Sequence, residues 1–311
     1  MALAPSQPAT GPVAGPATGA AAAGLRHRAE GVAASLPPLL AEAEHLASTV
    51  MLGEHGRRRA GMGDEFWQYR PAHDSDAQRL IDWRRSARSD AHFVREREWQ
   101  AAQSVALWVD DARSMGFSGA KDRAPKADRA KLLALALAVL LVRAGERVGL
   151  ASADLPPRTG QVQLQRLAGR LSGLEGDAAD YGAPDAMALP SHARAVFLSD
   201  FLGDIAPVEA ALTSAADRGV RGALVMVLDP VEEAFPFDGR TIFESMGGGL
   251  RHETLKAGDL RGRYLARLAE RKDRLAGLAR LTGWHFTPHH TGDSALSVLM
   301  WLYRALERGR R

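Results

Sequence analysis

From position 104 onward, short apolar runs alternate with segments of helical periodicity, and that alternation leaves few folds open. The runs are SVALWV (104–109), RVGLAS (147–152), AVFLS (195–199), ALVMVL (223–228) and WHFTP (284–288). Helical patterns lie between and after them, at 129–145, 161–174, 207–218, 258–282 and 294–307. Strands apolar on both faces must be covered on both faces. A strand–helix–strand order supplies that cover by building a parallel sheet with helices on each side. The crossovers are then right-handed. The longest apolar run, LLALALAVLLV (132–142), is bracketed by Lys131 and Arg143. It falls well short of the roughly 20 residues that a membrane-spanning helix needs, so it reads as a buried helix of this domain.

The chain upstream follows a different pattern. Leu25–Thr49 has helical character, with Pro37 and Pro38 expected to break or kink it. EFWQYR and HFVRERE alternate apolar and polar residues, as half-exposed strands do. The first 24 residues are rich in Ala, Pro and Gly and offer little to bury, which predicts a disordered tail. They have no basic start and no compact apolar stretch, so they make a poor signal peptide. The expected organisation is a tail (1–24), a helical segment (25–50), a small β-rich subdomain (51–103) and an α/β domain (104–307), in a soluble, cytoplasmic protein.

Composition narrows the chemistry. The 40 basic residues are nearly balanced by 37 acidic ones, leaving a net charge of +3 despite a pI near 9.4. That balance argues against a surface built to track phosphates. There is no cysteine, which excludes disulfides, zinc–thiolate centres, iron–sulfur clusters and cysteine nucleophiles. The chain also has neither a G-x-S-x-G nucleophile elbow nor a phosphate-binding loop of the G-x-x-x-x-G-K-[ST] kind.

The segment LWVDDARSMGF (107–117) carries the most chemical interest. A strand ends in Asp110 and Asp111, with Ser114 just beyond; Asp200 ends another strand in VFLSDFLGD. Ligands of open α/β sheets collect at such carboxyl ends. Two strand-end carboxylates and a hydroxyl suit a hard cation such as Mg²⁺. The competing reading is that these aspartates hold loop N–H groups or cap the helices that follow.

A second cluster lies upstream. In IDWRRSAR (81–88), Arg84, Arg85 and Arg88 stand beside Asp82 and Asp90. Such a group forms either a self-paired solvated face or a fork-like receptor for a partner's carboxylates. Trp83 among them is expected to be a buried anchor between subdomains. In 258–282, Leu265, Leu268, Leu275 and Leu278 recur at helical spacing and should face the sheet, leaving a basic outer side. With no Cys and no Asp or Glu at metal-ligand spacing except Asp293, His289 and His290 read as structural.

GMGDEFWQYRPAHDSDAQRLIDWRRSAR followed by a strand and DDARSM resembles the DUF58 family. FESM (243–246), YLARLAERKDRLAGLAR (264–280) and the closing GWHFTPHHTGDSALSVLMWLY (283–303) extend the resemblance. It implies a von Willebrand factor A-like, Rossmann-type domain that partners a MoxR-type AAA+ ATPase and has no established catalysis. It also implies a metal-ion-dependent adhesion site, D-x-S-x-S with a later Thr and a later Asp. Asp110, Ser114 and Asp200 match that pattern. Position 112 is Ala, and the Thr position falls in 175–181, which holds no Thr; Thr159 lies in another loop. The site is therefore degenerate, and weak Mg²⁺ binding at best is expected. The function expected is a non-catalytic interaction module presenting a client protein to the ATPase. A Mg-dependent hydrolase using Asp110, Asp111 and Asp200, or a nucleic-acid binder using the arginine surface, are the alternatives.

Overall fold

The computed structural model describes residues 38–54, 66–71, 81, 83–86, 93–97, 102–151, 154–174, 179–249 and 251–307. The tail, the first part of the upstream helical segment, Asp82 and Arg88 lie outside these, as does the side chain of Arg85. Helix α1 (Pro38–Glu54) has Pro38 in its first turn, and the expected break at Pro37 lies at the edge of the described residues. The ring's fixed φ and missing N–H cost nothing in a first helical turn. Strands β1 (Phe66–Pro71) and β2 (Phe93–Arg97) pair antiparallel. Between them IDWRRSAR contributes a short helix, α2 (Trp83–Ser86), whose Ser86 hydroxyl accepts from the N–H of Phe93 at 2.9 Å. Trp83 is 57% exposed and Arg84 is exposed. The expectation of a buried tryptophan anchor is thus corrected: the ring stands largely in solvent, beside the exposed, charged Arg84.

The alternating segment folds as its pattern predicts, into an α/β structure of Rossmann type. Strands β3 (Ser104–Val109), β4 (Arg147–Leu150), β5 (Arg194–Ser199), β6 (Arg221–Leu228) and β9 (His285–His290) form a wholly parallel sheet in the order β4-β3-β5-β6-β9. Helix α3 (Lys126–Arg143) covers one face, packed against β3 and β4 and shielded in turn by α1, α4 (Gln161–Ser172) and α8 (Ala295–Glu307). Leu133 to Val139 of α3 are wholly buried around the helix, as a helix sandwiched between two layers must be. The other face is covered by α5 (Ala206–Asp217) and α7 (Gly258–Thr282). Leu268, Leu275 and Ala279 of α7 join Phe197, Leu224, Met226 and Trp284 in the core there. Leu265 and Leu278 are half-buried at the edge of that stripe. Strand alternation leaves Val196, Leu198, Val225 and Val227, all fully buried, for the α3 face. Gly222 lets β6 approach β5, since a Cβ there would stand 1.7 Å from the Ala195 carbonyl oxygen.

A short helix and a hairpin at this end of the sheet were not anticipated. Helix α6 (Pro230–Ala234) caps the end of β6, and a hairpin of β7 (Thr241–Glu244) and β8 (Arg251–Thr254) follows it. Phe235, Phe237, Phe243 and Tyr264 pack ring against ring and fix this hairpin onto α7. Helix α3 also starts earlier than its apolar pattern suggests, at Lys126 instead of 129. No helix among the described residues is long and apolar enough to cross a membrane.

Candidate functional site

The strand order reverses between β3 and β5, and ligand crevices of open α/β sheets lie outside the strand ends at such a switch point. Asp110 follows β3, Asp200 follows β5 and Asp229 follows β6, so three aspartates share one edge of the sheet. Each is essentially without solvent contact.

Their hydrogen bonds differ. Asp110 accepts from the Ala112 N–H at 2.9 Å and, on its other oxygen, from the Ser199 hydroxyl at 2.6 Å. That hydroxyl accepts from the Phe201 N–H at 2.9 Å. Gly182 passes so close that a Cβ there would lie 2.1 Å from Asp110 Oδ1. Burial pushes the Asp110 carboxyl above its ordinary pKa, against the opposing pull of Ser199 and Ala112. Asp200 accepts from the Leu202 N–H at 3.0 Å with one oxygen and from the Lys126 ammonium at 2.9 Å with the other.

Lys126 is 1% exposed and also donates to Glu232 Oε1 at 2.6 Å. Burial works against its charge, but Asp200 and Glu232 outweigh it and raise its pKa. Burial raises that of Glu232 as well, partly offset by Lys126. The other oxygen of Glu232 accepts from the Asp229 N–H at 2.8 Å, while Asp229 accepts from the Val231 N–H at 2.8 Å. That reciprocal pair is a capping box. Asp229 further holds the Gly119 N–H at 3.1 Å and Arg123 at 2.9 Å. Its pKa is lowered: burial acts upward, and the Val231, Gly119 and Arg123 donors prevail.

A cleft of about 140 Å³ opens beside this network. Ser114, Lys126, Asp180, Asp200 and Glu232 lie in its wall, with Tyr181, Glu244 and Met246 toward the rim. The Ser114 Oγ and Asp180 Oδ1 are buried without a hydrogen-bond partner. Neither Asp110 nor the half-exposed Asp111 is among the lining residues.

The structure therefore gathers Asp110, Ser114 and Asp200 at one edge, but not around a common point open to a cation. Both Asp110 oxygens are engaged away from the cleft, and both Asp200 oxygens are taken. Ala112 has no hydroxyl, and Thr159 is exposed between β4 and α4. Among the described residues no group of three or more His, Asp or Glu side chains could hold a metal ion. The residues do not fit the metal-ion-dependent site that the resemblance implies. The two aspartates do what the competing reading describes, accepting loop N–H groups, and Asp200 in addition holds a lysine.

Sequence reasoning passed over Lys126, Asp180, Asp229 and Glu232. The last two had a readable signal, since D-P-V-E directly after an apolar strand is the signature of a capped helix start with Pro at its first position. His289 is buried, with Nε2 3.3 Å from an Arg129 nitrogen. Burial and then Arg129 lower its pKa to about 4. His290 pairs with Glu233 and, at 3.4 Å, with Asp293.

A family profile described as "Protein of unknown function DUF58" matches residues 68–274. The chain belongs to the DUF58 family. It is 28% identical over 237 residues to uncharacterised proteins of Mycobacterium tuberculosis and Mycobacterium bovis, covering 71% of this chain and 73% of theirs. Among solved structures, an aerotolerance-related membrane protein from Bacteroides fragilis aligns with a TM-score of 0.39 at 14% identity, over 67% of this chain and all of that one. The protein BatB from Bacteroides thetaiotaomicron aligns with a TM-score of 0.40 at 10% identity, over 66% of this chain and all of that one. In this DUF58 chain the FESM segment supplies three cleft residues, Glu244, Ser245 and Met246, from the end of β7 and the turn after it.

Proposed function

We propose that this chain is a non-catalytic, cytoplasmic interaction module of von Willebrand factor A type, which presents a client protein to a MoxR-type AAA+ ATPase. The observation that supports this reading is the cleft at the switch point of the sheet. Its floor is a hydrogen-bonded polar network set on rigid strand ends, and its rim carries exposed Tyr181 (42%) and Met246 (51%). Ile242, on the same hairpin as Met246, is 45% exposed. Aromatic side chains and methionine are the types enriched at protein interfaces. A rigid scaffold bearing a pocket with such a rim is suited to a docking contact.

The test is the affinity for the MoxR-type ATPase of the same organism, measured with purified proteins. Met246→Glu should weaken it by about tenfold or more, as loss of an interface anchor does, and leave the unfolding midpoint unchanged. Phosphatase and nuclease assays with Mg²⁺ run beside it. Turnover that disappears in Asp200→Asn, or no ATPase binding by the wild type, overturns the reading.

A further inference from the structure

We infer that the cation of this strand-end site is the chain's own Lys126 ammonium, built in where a von Willebrand-type domain would recruit a divalent ion, and that the site is closed to Mg²⁺. The placement of Lys126 is otherwise hard to account for. It is the first residue of α3, an 18-residue helix, where the partial positive charge of the helix N-terminus opposes a cation. It is also 1% exposed, and lysine is almost never fully buried unless paired. Both penalties are met by two carboxylates from separate elements, Asp200 after β5 and Glu232 in α6, at 2.9 and 2.6 Å.

The ammonium thus ties α3, β5 and α6 together and neutralises Asp200, the residue that matches the later metal ligand. Mg²⁺ binds oxygen at about 2.0–2.1 Å and demands near-octahedral geometry. On the Asp200 oxygen that Lys126 already holds, it would stand within about 5 Å of the ammonium. Two like charges that close, away from solvent, repel strongly. The neighbouring carboxylate gives no escape, because Asp110 is held by Ala112 and Ser199 and lies outside the cleft. Of the residues that match the metal pattern only Ser114 is left, a hydroxyl 8% exposed with its Oγ unpartnered, and beside it in the cleft wall Asp180 Oδ1 is the one buried unpartnered carboxylate oxygen among the described residues.

The experiment follows the unfolding midpoint of the full chain in EDTA and in about 10 mM Mg²⁺ or Mn²⁺. That concentration exceeds the roughly 1 mM dissociation constants of weak cation modules, so a site that bound at all would move the midpoint by mass action. The wild type should not respond. Lys126→Ala frees Asp200 and Glu232 beside the already unpartnered Ser114 hydroxyl and should gain a Mn²⁺-dependent rise in midpoint that Asp200→Asn abolishes. Should Lys126→Ala fail to fold, NMR of the lysine ammonium groups decides the question on the wild type. The Lys126 signal, identified by its loss in Lys126→Arg, should be protected from hydrogen exchange and unmoved by Mg²⁺. A wild-type midpoint that rises with Mg²⁺ and loses the rise in Asp200→Asn overturns the inference. So does a Lys126 ammonium signal displaced by Mg²⁺, or a folded Lys126→Ala variant indifferent to both ions.

Discussion

Replacing Asp229 by alanine should destabilise the fold by about 3 kcal/mol, although the residue does not line the cleft. Four donors lose their acceptor; the exposed Gly119 can pass its N–H to water, and the other three carry the estimate. The helix cap accepting from Val231 is worth about 1 kcal/mol. The Thr291 hydroxyl, 4% exposed and donating at 3.3 Å, is left unpaired at about 1 kcal/mol. The charge-assisted bond from Arg123 adds about 1 kcal/mol; this is below the usual range for charged donors because Arg123 is 29% exposed and can turn to water. A domain of this size loses about 2–4 °C of midpoint per kcal/mol, so the melt should fall by about 6–12 °C. Asp229→Asn keeps an acceptor for the cap and should recover about 1 kcal/mol of the loss. The pH dependence has a definite sign. The folded pKa lies below the ordinary value, so the contribution is complete above the unfolded pKa near 3.9 and is lost as pH falls through the folded one. Urea titrations of the three proteins at pH 7 measure the effect. A loss under about 1 kcal/mol for the alanine variant, or equal losses for alanine and asparagine, would refute the reasoning.

His289, held near 4 in the folded state, takes up its proton in the unfolded chain first, so it costs stability as pH falls from about 6.5 to 4. At about 1.4 kcal/mol per pH unit the loss is capped near 3 kcal/mol, and urea titrations of His289→Asn across that range should show a flatter slope than wild type. Gly182→Ala drives a Cβ to 2.1 Å from an Asp110 oxygen that Ala112 already holds. It should cost about 1–3 kcal/mol, as overpacking does, whereas Gly169→Ala, with open space around its Cβ, should not destabilise in the same titration.

The sheet was legible because its signal is local. Strands β3, β4, β5 and β6 carry short apolar runs, whereas β9 (HFTPHH) is mostly polar, and helix α7 spans the range its leucine spacing predicts. The aspartates at 110 and 200 were legible as strand ends for the same reason. Lys126 was not, since GAKDRAPKADRA looks like a solvated loop and helix start; its partners are 74 and 106 residues away in the chain. Only the crossover of α3 over the sheet brings them together. The β7–β8 hairpin escaped notice because Thr241 to Glu244 is too short to show alternation and its stability comes from an aromatic cluster with α7. Trp83 misled for the opposite reason: a large aromatic residue suggests a core, but it stands exposed beside an exposed Arg84.

The docking claim has one direct test, the hydrogen–deuterium exchange footprint of the MoxR-type ATPase on this chain. Slower exchange at 180–182, 202–204 and 244–249, the segments around the cleft, is the predicted result, with the β1–β2 region unchanged. Protection of the arginine-rich 81–97 segment while the cleft loops exchange at their free rates would contradict it.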